Sequence, residues 1–228
     1  MSFLVSTTPP APFPYRPPTH TGLDVRHVDA WLLVVGKPAG LLSVPGRGEG
    51  RDDCLISRVQ AEYPDALIVH RLDMDTSGLL VLARGPEMHR QLSALFRDRQ
   101  VDKRYAALVA GHFDSAEGEV DLPLITDWPN RPRQMVDHTL GKPSLTRYRV
   151  LAYDPARDIS RVALEPVTGR SHQLRVHMAA LGHPILGDPL YGGSATALAS
   201  RLLLHAEYLA FPHPATGEVR HFELPAPF

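Results

Sequence analysis

Between Val69 and Leu79 the chain reads Val-His-Arg-Leu-Asp-Met-Asp-Thr-Ser-Gly-Leu. This stretch holds a histidine, an arginine, two carboxylates at i and i+2 and two hydroxyls between apolar flanks. A polar loop gripped by two buried strands is a well-positioned place for chemistry, because the scaffold limits where its side chains can go. A desolvated, oriented carboxylate can act as a nucleophile or a base, and a neighbouring guanidinium keeps it ionised. The same residue types also build Asx and Ser/Thr turns. Loop composition alone leaves both readings open.

The elements that must hold this loop follow from hydrophobic pattern. Ala66–Val69 and Leu79–Leu82 are short apolar runs that read as its flanking strands. Trp31–Val35 reads as a buried strand that ends in the turn residues Gly36-Lys37-Pro38-Ala39-Gly40. Asp52 or Asp53 is expected to cap a helix carrying Leu55, Ile56, Val59 and Tyr63. Pro86 and Glu87 open a second, with Met88, Leu92, Leu95 and Phe96 on one face. Tyr105–Val109, Thr146–Leu151, Arg161–Leu164, Leu202–Leu209 and Val219–Leu224 read as strands. A third helix is expected from about His172 to Leu181. Ser171 caps it, Leu174, Met178 and Leu181 face the core, and Gly182 stops it. Arg175 falls about a quarter-turn from that apolar stripe. Runs of strands with few helices predict an α+β fold rather than a doubly wound sheet.

Composition narrows the classes. A chain of 228 residues, 43% apolar and 21% charged, can bury a real core as one domain. Its 24 Lys+Arg and 25 Asp+Glu give a net charge of −1, which argues against a generic nucleic-acid coat while allowing a local basic face. The single cysteine, Cys54, excludes an internal disulfide framework and a Cys-based zinc cage, and points to a reducing compartment. No apolar run is long enough to span a bilayer, and Met1–Val5 lacks the features of a secretory leader, so a cytoplasmic protein is expected. His172 and His177 are five apart without an HExxH pattern, so no metal site is expected there. Residues 9–18 hold six prolines and should form an extended, polyproline-like arm, read as a linker or surface strip. The arm is taken as residues 1–22 and the catalytic domain as 23–228.

Two family resemblances compete for the loop. Asp-Met-Asp-Thr-Ser resembles the DxDx[T/S] nucleophile loop of haloacid-dehalogenase-type phosphatases. That loop starts directly at a strand end, whereas His70-Arg71-Leu72 intervene here, and Gly187-Asp188 lacks a second downstream Asp. The longer string HRLDMDTSGLLVLAR resembles the signature of RluA-type RNA pseudouridine synthases. In chain order, Lys37–Val44 is similar to that family's KPxGLxV element and Lys103–Ala107 to its KxYxA element. Gly169–His177 is similar to its GRxHQLRxH element, followed by His183–Gly192 and Leu203–Ala206. The likeness runs from about Leu23 to the end of the chain.

This resemblance implies a mixed, mainly antiparallel sheet with flanking helices and a central catalytic cleft. It implies isomerisation of a specific uridine to pseudouridine, without metal or organic cofactor. Asp73 would be the catalytic carboxylate, acting as nucleophile or as base on the sugar, with Arg175 as its ion-pair partner. Tyr105 would stack on the target base; a phenol with pKa near 10 would need tuning to act as a base. The uridine must leave its stack to be reached, and Arg71 is suited to assist that flipping. His70, Thr76, Lys103, Arg104, Arg170 and His172 complete the expected substrate-binding set, with His70, His172 and His205 as hydrogen-bonding framework. The N-terminal segment leaves no room for the S4-type domain of many relatives. The resemblance is therefore to the short, single-domain branch, associated with a stem-loop of large-subunit rRNA and a tRNA anticodon stem-loop, and a monomer is expected. A catalytically silent RNA-binding module is the alternative from another class. If RNA binds a neutral chain, its basic residues must be concentrated. Arg84, Arg90, Arg97, Arg99, Lys103 and Arg104 form one cluster, and Arg131, Arg133, Lys142, Arg147 and Arg149 a second.

Overall fold

The computed structural model describes residues 15–228, so residues 9–14 of the proline-rich stretch lie outside the described residues. In chain order the first half comprises β1 (Asp24–Val28), β2 (Leu32–Lys37), α1 (Leu55–Glu62), β3 (Ala66–Ile68), β4 (Ser77–Arg84) and α2 (Gly85–Arg97). The second comprises β5 (Asp102–Ala110), β6 (Glu117–Asp121), β7 (Leu124–Thr126), β8 (Gln134–Val136), β9 (Leu145–Asp154), β10 (Ile159–Pro166), α3 (Gln173–Ala180), β11 (Leu204–Pro212) and β12 (Val219–Glu223). A 3₁₀ turn at Gly193–Leu198 separates α3 from β11.

One ten-stranded sheet runs β1-β2-β4-β11-β5-β10-β9-β6, with β3 paired to β4 and β12 to β11, while β7 and β8 form a separate hairpin. All pairings are antiparallel except β4 with β11. The architecture is thus the α+β fold expected from the pattern, with the mixed, mainly antiparallel sheet that the family resemblance implies. Among the described residues no helix is long and apolar enough to cross a membrane.

Strands β2 and β4 read as unbroken apolar runs because both of their faces are covered. Leu33, Val35, Leu80 and Leu82 pack with Leu55 and Val59 of α1, while Leu32, Val34, Leu79 and Val81 pack with Leu92 of α2. On the other half, Leu174 and Met178 of α3 pack on Ala107, Val109, Val162 and Leu164. Tyr105 touches both the α1-side cluster and the α3-side cluster, so it stands where the two halves meet.

The helix ends differ in detail from the sequence expectation. Neither Asp52 nor Asp53 caps α1. Cys54 is the N-cap, and its N–H donates to Ser57 Oγ at 2.9 Å. Asp53 instead takes two hydrogen bonds from Arg58, at 2.6 and 2.8 Å, because the guanidinium one turn on reaches it from the side. The N-cap of α3 is His172 rather than Ser171, in a left-handed conformation (φ 55°) with no side-chain cap. Leu181 is exposed rather than in the core, because the helix stops one residue before it. Within α3, Gln173, Arg175 and His177 are buried together with Leu174, Val176 and Met178, so the helix lacks the polar face that would have left Arg175 in solvent. The described part of the N-terminal arm lies against the start of α1, where Tyr15 donates to Asp53 O at 2.7 Å and Pro18 O accepts from Arg58.

The parallel seam is only two residues long, His205 opposite Ser77 and Ala206 opposite Gly78. Gly78 has φ 115°, and a Cβ built there would lie 2.3 Å from Ala206 O. Only glycine satisfies both constraints. Gly78→Ala is expected to cost more than the about 1–3 kcal/mol of strained backbone alone, read as a lowered midpoint in urea unfolding. A midpoint equal to that of the wild type would contradict this close approach.

Candidate active site

The loop between β3 and β4 is clamped through its backbone on either side of Asp73. Ser43 Oγ donates to Leu72 O at 2.7 Å and accepts from Leu72 N–H at 3.2 Å. The buried Lys37 ammonium donates to Met74 O, Pro38 O and Leu41 O at 2.8, 2.9 and 2.6 Å. Three carbonyls match the three N–H bonds of an ammonium, which a neutral amine cannot supply in full. Burial pushes Lys37 down to about 7, against the attraction of Asp75 and Asp73. A turn bond from Thr76 N–H to Asp73 O at 3.2 Å closes the loop.

Arg175 enters from α3 with 2% of its surface exposed. Its primary partner is Asp188, which accepts from Nε at 2.8 Å and from Nη2 at 2.7 Å. The remaining arm, Nη1, reaches Asp73 Oδ2 at 3.4 Å. Burial opposes the charge of Arg175, but the hydrogen bonds and charge of Asp188, with Asp73, raise its pKa above the ordinary arginine value. Burial likewise works against the Asp188 carboxylate, yet Arg175 and the N–H groups of Leu190 and Tyr191 hold it below the usual range.

Tyr191 extends this network. Its ring lies under the Arg175 guanidinium, 5.2 Å from centroid to Cζ. Its hydroxyl accepts from Gln134 N–H at 2.7 Å and shares a 2.7 Å hydrogen bond with His172 Nδ1. Burial lowers the pKa of His172 despite the Asp73 charge, which favours the neutral ring, and its Nε2 lies 3.9 Å from Asp73 Oδ1. His70 is neutral for a similar reason: burial pushes it down to about 3, and its Nε2 accepts from Val81 N–H at 3.0 Å. Its ring stacks on Phe96, with centroids 4.3 Å apart.

These groups line a cleft of about 530 Å³. Asp73 is the one carboxylate among the lining residues, facing Arg71, Arg97, Arg99, Lys103, Arg170 and Arg175. The cleft therefore has the local basic character that the neutral chain requires for RNA. Tyr105 lies on its floor, and its hydroxyl has no hydrogen-bond partner among the described residues; burial, then the Asp73 charge, pushes this phenol up. It stays protonated through neutral pH. Among the described residues no group of His, Cys, Asp and Glu is arranged to hold a metal ion.

Of the expected site residues, His70, Arg71, Asp73, Thr76, Lys103, Tyr105, Arg170, His172 and Arg175 all line this cleft. Arg104 does not. It points to the other side of β5, paired with Glu207 at 2.8 Å and stacked over Tyr208, because neighbouring residues on a strand face opposite ways. His205 is also off the cleft, bridging Ser77 Oγ and Leu224 O on the far side of the seam. The second basic cluster stays outside as well, with Arg147 paired to Glu119 and Arg133 over the Tyr191 ring. Asp188, Tyr191, Ser43 and Lys37 were not singled out by the sequence reading. The signal for the first two was their place in the Asp188-Pro189-Leu190-Tyr191 part of a quoted motif, and Lys37 and Ser43 likewise stand in Lys37–Val44.

Replacing Asp188 with Asn turns an amide toward a donor arm of Arg175 and leaves the buried guanidinium only the longer 3.4 Å contact with Asp73, an expected loss of about 3–5 kcal/mol. The folded Asp188 binds its proton at lower pH than the ordinary 3.8, so the unfolded chain holds more protons in the interval between. The stability from this pair is fully present above the unfolded value and disappears as pH falls through the folded one. Urea unfolding between pH 2 and pH 6 is expected to show a steep acid limb in the wild type and a shallower one in Asp188→Asn; parallel limbs would contradict this linkage.

The profile of the RNA pseudouridylate synthase family matches residues 31–180. The chain is 54% identical over 215 residues to the dual-specificity RNA pseudouridine synthase RluA of Escherichia coli strain K12, covering 94% of this chain and 98% of that protein. It is 52% identical to the protein of the same description from Pasteurella multocida, with the same coverage. Among solved structures, human RNA pseudouridylate synthase domain containing 1 superimposes with a TM-score of 0.78 at 32% identity, covering 93% of this chain and 87% of that one. With Asp73, Tyr105 and Arg175 converging in one basic cleft of this fold, the sequence motifs and the comparisons lead to one conclusion: the chain belongs to the RNA pseudouridylate synthase family.

Proposed function

We propose that the chain isomerises a uridine in a stem-loop of large-subunit rRNA and in a tRNA anticodon stem-loop. The dual-specificity designation of relatives that match nearly end to end supports two RNA targets. The observation that carries the site assignment is the isolation of Asp73. It is the one carboxylate lining a cationic cleft, met at 3.4 Å by a guanidinium that Asp188 already fixes.

In this reading Asp73 acts at the ribose while the N1–C1′ bond breaks. The base turns, C1′ bonds to C5, and the C5 proton is lost as N1 gains one. Asp73 attacks C1′ or removes a sugar proton, and both versions need its charge. Arg175 pairs with the carboxylate and orients it. Tyr105 stacks on the base; with its phenol held protonated, it is better suited to packing and donation than to acting as a base near neutral pH. Arg71 is exposed and without a side-chain partner among the described residues, free to fill the space the flipped uridine vacates. His70 and Thr76 shape the wall, His172 turns its Nε2 toward Asp73, and Lys103 and Arg170 take phosphates at the rim. Arg104, turned to Glu207, has no direct part in the cleft. The protein works as a cytoplasmic monomer, with residues 23–228 as its catalytic domain.

Asp73→Asn keeps the shape of the carboxylate and removes its charge. Tritium release from [5-³H]uridine-labelled rRNA and tRNA, measured in EDTA, is expected to fall at least ~10³-fold, in the range of losing a nucleophile or general base. Filter binding of the same RNAs should change little. Near-normal release by this variant would remove Asp73 from the chemistry, and RNA binding without release by the wild type would favour the binding-only alternative.

A further inference from the structure

The C-terminus of α2 carries an anomaly beside the cleft. Gln100 N–H donates to Leu95 O at 2.8 Å and Arg99 N–H reaches Phe96 O at 3.4 Å, the paired bonds of a Schellman stop. In that motif the residue at the Arg99 position is left-handed and is usually glycine, which pays no Cβ penalty there. Here it is an arginine with φ 58°. Its backbone is spent on ending the helix, and its side chain is exposed with no hydrogen bond or ion pair among the described residues. Lys103, on β5, is half-buried and equally unpaired, and the Arg99 charge acts on it. Two cations held close without an acid between them repel one another unless an anion is supplied.

Their placement says where that anion lies. Arg99 and Lys103 line the catalytic cleft, and both also line a neighbouring groove of about 370 Å³ with Arg104, Arg147, Tyr208 and the acids Asp102 and Glu165. In that groove Arg104 and Arg147 are already paired to Glu207 and Glu119, whereas neither Arg99 nor Lys103 forms an ion pair with Asp102 or Glu165, leaving them its two cations without a carboxylate partner. They form the threshold between the two depressions.

We propose that Arg99 and Lys103 bind a phosphodiester of the RNA strand as it leaves the cleft beside the flipped uridine, directing the flanking nucleotides into the adjacent groove. This rests on the RNA function proposed above and adds to it a specific backbone subsite. Burial and the Arg99 charge, which lower the Lys103 pKa, are offset when phosphate oxygens sit between the two cations. The contact positions the strand without reading sequence.

Arg99→Gly separates a binding role from a structural one, because the two predict opposite changes. Glycine relieves the left-handed strain, so the melting temperature should hold or rise by ~1–4 °C. Binding of unmodified stem-loop RNA should weaken about tenfold, and the slope of log affinity against log salt should fall by about 0.7–0.9 for the lost phosphate contact. Arg99→Lys, which keeps a cation, should recover most of the affinity, and Lys103→Met should lose affinity as Arg99→Gly does. Unchanged RNA affinity and salt slope in Arg99→Gly would overturn the subsite, as would an affinity loss that merely tracks a fall in melting temperature. Tritium release by the wild type is measured alongside. An active wild type with an indifferent Arg99→Gly defeats only the subsite, whereas a wild type that neither binds nor releases defeats both readings.

Discussion

A guanidinium with almost no access to water organises this protein. Burying an unpaired charge costs several kcal/mol even after relaxation, so Arg175 obliges the fold to bring carboxylates to it. Asp188 answers with a bidentate pair and is itself fully buried, while Asp73 takes the third arm with 26% of its side chain exposed. One positive and two negative charges leave a net negative charge, and it resides where water and substrate can reach, on Asp73. Arg175 touches Asp73 without taking up its hydrogen-bonding capacity, because its two shortest hydrogen bonds are committed to Asp188.

Around this pair the scaffold removes freedom from the reactive loop by backbone contacts rather than by gripping the Asp73 side chain. Ser43 holds Leu72 and Lys37 holds Met74, so the residue between them is placed by its neighbours. Gly78 lets β11 approach closely enough for Ala206 to pair with both Gly78 and Tyr105. That row of three strands sets the aromatic ring at a fixed offset from the Asp73 loop, and the two halves of the sheet need only a two-residue parallel seam to do it.

The charge distribution resolves how a chain of net charge −1 can take a polyanion. Many arginines away from the cleft are matched by acids, including Arg58 with Asp53, Arg84 with Asp65 and Arg147 with Glu119. Exposed pairs of this kind contribute little stability, about 0–1 kcal/mol each, but they silence positive charge where RNA is not wanted. On the cleft the side chains of Arg71, Arg99 and Lys103 are left unmatched by protein carboxylates. Selective pairing, more than composition, creates the basic face.

The sequence by itself determined the class of fold, and its motifs named most of the side chains that the folded chain gathers around one cleft. The long apolar runs of β2 and β4 could only be buried strands, and the polar string between Val69 and Leu79 was too specific in type and order to be read as turns once its companion motifs were seen. It did not reveal the hairpin of β7 and β8, whose three-residue strands carry too little alternation to register. Nor could it show that Arg175 is buried, since a helix with three polar residues on its inner surface has no amphipathic signature. What makes that burial possible is Asp188, 13 residues away, together with Tyr191, while Leu145 and Thr146 of β9 take up the neighbouring Gln173 and His177. Arg104 shows the same limit from the other side: it is next to Tyr105 in the chain, yet the alternation of a strand sends it to Glu207 on the opposite face. Local pattern decides which elements form; which polar groups meet, and so which charges stay free to act, depends on partners that only the folded chain brings within hydrogen-bonding distance.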